Sequence, residues 1–544
     1  MQAYIQYRQF TPPDESGPSR RSRSGPPTPI ESSVTAGSEE DHTPVTSTSG
    51  ASSQTTTVIA PENTDAQEKP TSGDYVEFEP DDPCNPRNWS PLYRYWVVGQ
   101  LTFLTLSLTF ASAAGAPAEA GFRAEFDCDE ITATAATGLF LVGAGLGALP
   151  TAPLSELYGR LPVYVITVLI ATLFEIGCAL APNAPALLIL RFFAGLVSSA
   201  PLSNAGGTLH DIGTPVSRTI QFPVFASAGF LAPILAPVMG GYIVTDARFG
   251  WRWMYWVSAI WNALAFLLVF FCMPETLAQA TLKLKAVRMR KVTGDPKWRA
   301  KMEDNKFLPT LKNTLKRPFQ MMAAEPVLQF FIVYLTVAYI CLYGSFTAYP
   351  LIFADHGLNQ RQIGLTFIPI GVGFLSLTLV YALHLIRYKG LVRDAHQGKQ
   401  RRGIYEGKVE PEERLIPLMA ANVLFPIGLL WLAWTSQSHF NVWIPIVSGL
   451  PFGIGLLSIF QASMLYIQDA YGQYAASAVS TTTLVRYVVP GFVILAYPQM
   501  YQTLGNAWAT TLFGIIAAVL TPVPFIFYLY GRKIRDKCTW TVKD

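Results

Sequence analysis

Residues 154–165, LSELYGRLPVYV, set a carboxylate (Glu156) and a guanidinium (Arg160) around Gly159, between two long apolar runs. Charge is scarce in this chain, so its placement carries information. Only 14% of the 544 residues are Asp, Glu, Lys or Arg and 50% are hydrophobic, whereas ordinary soluble domains carry about 25% charged residues. That balance is that of a membrane protein, in which each span needs about 20 apolar residues to cross about 30 Å of hydrocarbon.

Twelve apolar runs follow, near 95–117, 131–153, 161–181, 186–208, 219–244, 253–273, 326–346, 364–385, 413–434, 441–465, 476–499 and 507–530. They predict an all-α membrane protein with twelve transmembrane helices in two six-helix bundles, 86–273 and 326–530. The polar stretch between them, 274–325, is read as a cytoplasmic linker. Its basic run Lys283–Lys291 has helical spacing, and is read as a solvated inter-domain helix or, alternatively, as one lying on anionic lipid. Residues 1–85 are dense in Ser, Thr and Pro and hold no apolar period, so they are expected to form a disordered cytoplasmic tail. Residues 531–544 form a second, short tail.

Orientation follows from Lys and Arg, which favour cytoplasmic loops. They gather in 274–325, in 386–414 and after Tyr530, while the opposite loops hold Arg123, Arg248, Arg252 and Arg361. Both termini are therefore expected inside. The sequon Asn88-Trp89-Ser90 then faces the cytosol and stays unmodified. No cleavable signal is read, because the N-terminus is long, polar and followed by a full-length span. The formal charge of +3 implies no nucleic-acid partner, and the six cysteines show no paired spacing for a disulfide framework or metal site. No cofactor is called for.

Within 154–165, Gly159 permits a tight turn and Pro162 suits the first turn of the next helix. Glu156 and Arg160 flank that turn at the membrane surface, able to meet helix termini and a neighbouring charge. A second patterned stretch, GFLAPILAPVMGG at 229–241, places Gly229, Pro233, Pro237, Gly240 and Gly241 on one helix. Small residues at four-residue spacing admit a close neighbour, and prolines loosen the helix.

These two stretches, together with DPCNPRNW, RFFAGLVSSAPLSNAGG, GWRWMYW, PETLAQATLKLKAVRMRKVTGDPKW, PEERL and YGRKIR, resemble the major facilitator superfamily, in particular its fungal twelve-span drug:proton antiporter branch. The loop departs from the usual signature: Ala152 stands at the first glycine, Glu156 replaces Asp and Leu161 the second basic residue. In the second stretch Ala232 and Ala236 replace two glycines. The resemblance implies Arg191 as the proton-coupling arginine, with Glu175 or Glu119 as its partner. Ionisable groups inside spans are costly and are functional candidates on that ground alone. It also implies a cytoplasmic gate of Glu156, Gly159, Arg160, Asp211, Arg218 and Asp469, joined by Arg486, for which the cavity wall is the alternative place. For the substrate cavity, Tyr339, Tyr343 and Phe346 share a helix face, and Asn204, Gln461 and Tyr466 offer hydrogen bonds.

No Gly-x-x-x-x-Gly-Lys-[Ser/Thr] occurs, which removes the phosphate cradle of an ATP-driven pump. The function expected is proton-coupled efflux of a small organic molecule (a drug, polyamine or secondary metabolite such as a toxin or glycolipid) by a monomer. Its expected place is the plasma membrane, with the vacuolar membrane as the alternative. A uniporter or organic-acid exporter without proton coupling is the second reading. A membrane-embedded enzyme would need clustered catalytic groups, and the six histidines form no cluster in the sequence. A transporter-like sensor would need a folded extension where the tail is polar and aperiodic.

Overall fold

The computed structural model describes residues 75–541 except 80, 305, 306 and 400, with the side chains of 304, 307–314 and 473 outside the description. Residues 1–74, most of the expected tail, lie outside the described residues.

Six long helices come first: α1 (Pro91–Ala113), α2 (Glu130–Tyr158), α3 (Arg160–Ala179), α4 (Ala184–Ile212), α5 (Pro215–Ile243) and α6 (Trp253–Cys272). Four of them begin on a short polar side chain, Ser90, Asp129, Asn183 or Thr214, that accepts a backbone N–H of its own first turn. Each cap satisfies a donor left without an intrahelical partner. Past Ala114 a second helix, Gly115–Phe126, prolongs the α1 crossing.

The second group holds α7 (Pro326–Asp355), α8 (Ile368–His396), α9 (Leu424–Thr435), α10 (Gly449–Tyr471) and α11 (Ala475–Val493). Among the described residues eleven stretches are long and apolar enough to cross a membrane, and the last, Ala475–Arg535, has 61 residues. As one straight helix it would extend about 90 Å, three times the hydrocarbon thickness. It is instead folded back at Gly505, whose φ of 74° and ψ of 162° no helix accommodates. Across that break Tyr497 stacks on Phe513 at 5.2 Å, and the Tyr501 and Thr510 hydroxyls lie 2.9 Å apart. The returning arm, 506–520 continued by Val523–Arg535, is α12, so the twelve expected helices are present.

An even number of crossings returns both ends to one face, here termed the linker face. There the N-terminal segment meets the linker through Asp82 and Lys285 at 2.9 Å. Glu325, just before α7, accepts the backbone N–H groups of Thr539 and Trp540. Residues 75–85 are thus not part of a free tail: Val76 is buried against Ala286 and Ala300, and Tyr75 bridges Arg299. The basic linker helix, Ala278–Thr293, is held by the same segment. One side of it is occupied by this small module, with Lys285 paired to Asp82 and Arg290 to Glu303.

Glycines draw the helices together. A Cβ at Gly143 would run into the Phe192 carbonyl oxygen and one at Gly195 into that of Phe140, so α2 and α4 touch backbone to backbone. Large apolar side chains such as Leu173, Phe271, Leu379 and Leu383 face outward, the pattern of a surface wetted by hydrocarbon. All six cysteines are free thiols.

Candidate functional site

Between the two helix groups, midway along the bundle, Thr105, Thr109, Phe230, Tyr339, Tyr343, Phe460, Arg486 and Tyr487 line a central cavity. Its free volume for water-sized occupants is about 40 Å³, space for two or three waters and far below the roughly 300 Å³ at which ligand sites begin. The walls have closed on each other. Phe230 and Phe460 lie 4.7 Å apart, and Tyr339 and Tyr487 5.1 Å.

Proline shapes the first wall. Pro233 has no N–H to give the Gly229 carbonyl, and that oxygen accepts the Thr109 hydroxyl at 2.9 Å instead. The motif glycines serve contact: Gly240 receives Pro117 of the α1 extension, while Gly241 lies against Gln360 and Arg361 beside α8. Pro237 presents its carbonyl to Gly364.

Nearer the opposite face, Arg191 is wholly buried. Its guanidinium donates to the carbonyls of Ala111, Ser112 and Ala136 and to Glu175 at 3.4 Å. The break of α1 at Ala114 favours the first two: at this helix end the Ala111 carbonyl accepts a long bond of 3.4 Å from the Ala114 N–H, and carbonyls of a last turn are open to donors from outside the helix. Glu175 is therefore the partner, with its second oxygen unpartnered. Glu119 is helical rather than in a loop and accepts the Thr134 hydroxyl at 2.6 Å. Ser112 joins this site to the cavity. Its hydroxyl donates to the Thr109 carbonyl, so the Tyr343 hydroxyl, 2.9 Å away, donates to Ser112.

At the linker face the charges form two groups. Arg160 pairs with Asp211 at 3.3 Å and donates to Ser155, while the Arg160 and Leu161 backbone N–H groups donate to Glu275. Gly159 has φ 103°, and a Cβ there would strike the Glu275 carboxylate. Glu275 thus occupies the helix terminus expected for Glu156, which makes no ion pair among the described residues. Across the halves, Arg218 of α5 pairs with Asp469 of α10 at 3.3 Å. Arg414 pairs with Asp469 at 2.7 Å and donates to Thr219 and to the Pro215 carbonyl.

Several expected residues sit elsewhere. Tyr339 and Tyr343 line the cavity, but Phe346 is turned toward Phe367, 5.7 Å away, and lies outside it. Tyr466 packs on Phe331 and Phe527 within the second group, its hydroxyl on Glu412. Gln461 bridges the halves, donating to Pro223 and Ser227. Asn204 donates to the Thr151 carbonyl and lines a separate cavity of about 320 Å³ at the linker face, with Glu156 and Asp211. Arg486 lies in the central cavity and not at the gate. The sequence reading did not single out Glu275 or Arg414 as site residues, although PEERL carries the latter. Glu275 lies outside every apolar run, so the cost of burial gave no signal there, and Arg414 stands at the very edge of the run 413–434, directly after two glutamates.

A sequence profile of the Major Facilitator Superfamily matches residues 101–494. An uncharacterized transporter, mfs2, of Schizosaccharomyces pombe is 39% identical over 462 residues, covering 84% of this chain and 82% of the relative. The citrinin biosynthesis cluster MFS transporter mrr1 of Monascus ruber is 35% identical over 475 residues, covering 86% and 93%. Among solved structures, the proton:xylose symporter XylE superposes with a TM-score of 0.59 at 13% identity, covering 81% of this chain and 96% of XylE. That last likeness concerns the fold alone. With profile, relatives and twelve-helix architecture in agreement, this chain belongs to the major facilitator superfamily, a multi-pass membrane transporter and not an enzyme.

Proposed function

We propose that the protein is a proton-coupled exporter of a small organic molecule that works by alternating access in a fungal plasma membrane, as a monomer with both termini cytoplasmic. The carrying observation is the narrow void of about 40 Å³ between the helix groups. Cargo enters such a site only when one face separates, and the contacts at each face are of separable kinds. A transporter with discontinuous contacts around a midplane site exposes that site to one side at a time.

Proton coupling rests on Arg191 and Glu175. A carboxylate beside one guanidinium carries a proton in one conformation and an ion pair in another. When Glu175 is protonated, Arg191 keeps three carbonyl acceptors and remains satisfied, so the exchange loosens α3 without stranding the cation. The route through Ser112 to Tyr343 gives that change a path to the cavity wall. A secondary metabolite is the favoured cargo, supported by the relative named for a citrinin biosynthesis cluster. Asp211, Arg218 and Asp469 then act as the cytoplasmic gate, with Arg160 and Gly159 fixing its turn.

Reconstituted protein with citrinin as the first cargo tried tests this. Acidifying the extracellular side should speed cargo movement toward it, and Glu175→Gln and Arg191→Ala should each remove the acceleration. Gradient-driven flux persisting in both variants removes this pair from the mechanism. Wild-type flux indifferent to the gradient leaves export without proton coupling.

A further inference from the structure

We infer that the cargo is an organic anion with a flat apolar body, its carboxylate or enolate oxygens seated on Arg486 in the central cavity. The inference rests on reading that cavity as the transport site.

Arg191, Arg414 and Arg486 are the largest fully buried side chains. The first two have a carboxylate, at 3.4 and 2.7 Å. Arg486 has none within 4 Å among the described residues. Its Nε is without a partner, and Nη1 reaches the Met464 sulfur at 3.5 Å, a weak acceptor. A guanidinium does not deprotonate in proteins, so the charge cannot be discarded. The rings of Tyr339, Phe460 and Tyr487 lie 4.9 to 5.5 Å from it and offset part of the desolvation through their negative faces. They supply no hydrogen-bond acceptors in the plane of the fork.

What is missing is an acceptor of opposite charge, and the cavity is where one can sit. A carboxylate matches the planar guanidinium through two parallel bonds, and the surrounding rings suit an aromatic or flat body behind it. A polyamine or other cation would meet uncompensated like charge in a dry site. Loading has a further consequence. The empty carrier closes around an unpaired cation, whereas the anion-loaded carrier closes around a neutral pair, so the cargo itself favours the closed state through which transport must pass.

The test uses the full chain in lipid nanodiscs at constant ionic strength, with thermal unfolding as the readout. Benzoate and 2-naphthoate should stabilise it saturably, with apparent affinity about ten- to a hundred-fold above benzamide and 2-naphthamide, the range expected of a charged hydrogen-bond pair. Benzylammonium should give no saturable shift. Arg486→Gln should lose the preference for carboxylate over amide, and Arg486→Lys should keep part of it. Absence of any shift with both carboxylates, equal shifts across the charge series, or a preference that survives in R486Q overturns the inference. Should R486Q not fold, the wild-type ranking decides alone. Carboxylate binding without flux in proteoliposomes defeats the export reading and leaves Arg486 standing as an anion-binding site, while transport of a cargo that carboxylates neither bind beside nor inhibit defeats this inference alone.

Discussion

The two faces of the molecule close the same cavity by different physics. At the linker face, Asp469 ties Arg218 of one helix group to Arg414 of the other, and Arg414 reaches back to Thr219 and Pro215. At the opposite face no ion pair joins the groups among the described residues. Closure there rests on glycine: Gly138 and Gly491 bring α2 and α11 backbone to backbone, and Gly241 and Gly364 do the same between α5 and the turn before α8. Two hydrogen bonds join them, from Arg361 to Thr245 and from Gln502 to Glu130. One seam exchanges its bonds with water and ions, and the other depends on fit. A charged seam is sensitive to salt and protonation, whereas a small-residue seam responds to volume.

The strongest blow to this contrast is Asp469→Asn. It leaves two largely buried guanidinium groups without their carboxylate, a loss of about 3 kcal/mol from the closed state when one partner of a buried pair is removed. A cysteine placed at Asn204, in the linker-face cavity, should then react faster with a polar thiol reagent. Unchanged reactivity would mean that the charges are ornamental and that packing closes both faces. Gly138→Leu addresses the other seam, where the new side chain meets the Gly491 carbonyl oxygen. Overpacking of about 2 kcal/mol should hold the opposite face apart, lower the unfolding midpoint and, unlike D469N, show no dependence on salt.

The smallest effect is expected at Asp246. The hydrogen bonds from Arg248 hold its carboxyl down at about 2, and the pair lies in the loop after α5, with Arg248 exposed and Asp246 half-buried. A depressed acid of this kind contributes stability above its unfolded value of 3.8 that is lost as pH falls through the folded value. The whole effect lies between about pH 4 and pH 2. Asp246→Asn should lower the unfolding midpoint slightly at neutral pH and leave flux unchanged, and a change in flux would mean that charge does contribute to the opposite seam.

The helix count and the two groups of six were readable because hydrocarbon demands long apolar runs, whatever they pack against. The pairing of Arg191 with a carboxylate was readable to within two candidates, since a charge inside a span must find a partner, but only the break at Ala114 shows that backbone carbonyls do most of the holding. Phe346 and Tyr466 were misplaced for different reasons. Helical spacing identifies a shared face, not what that face meets, and Phe346 turns toward Phe367. Tyr466 was expected to offer a hydrogen bond to the cavity, but its hydroxyl is taken up by Glu412 and its ring packs on Phe527. Glu275 was hidden by distance along the chain, more than a hundred residues from the turn it caps.

Composition and periodicity alone determined that this chain lies in a bilayer as twelve helices, because the cost of exposing polar backbone to hydrocarbon is paid locally, within each span. The tertiary structure alone decided which charges are matched. Arg191 and Arg486 look alike in sequence, each one arginine inside an apolar run, yet a carboxylate reaches the first and a void faces the second. Partnership between buried charges is set by helices that meet in space from distant parts of the chain, and no local rule of sequence carries that geometry.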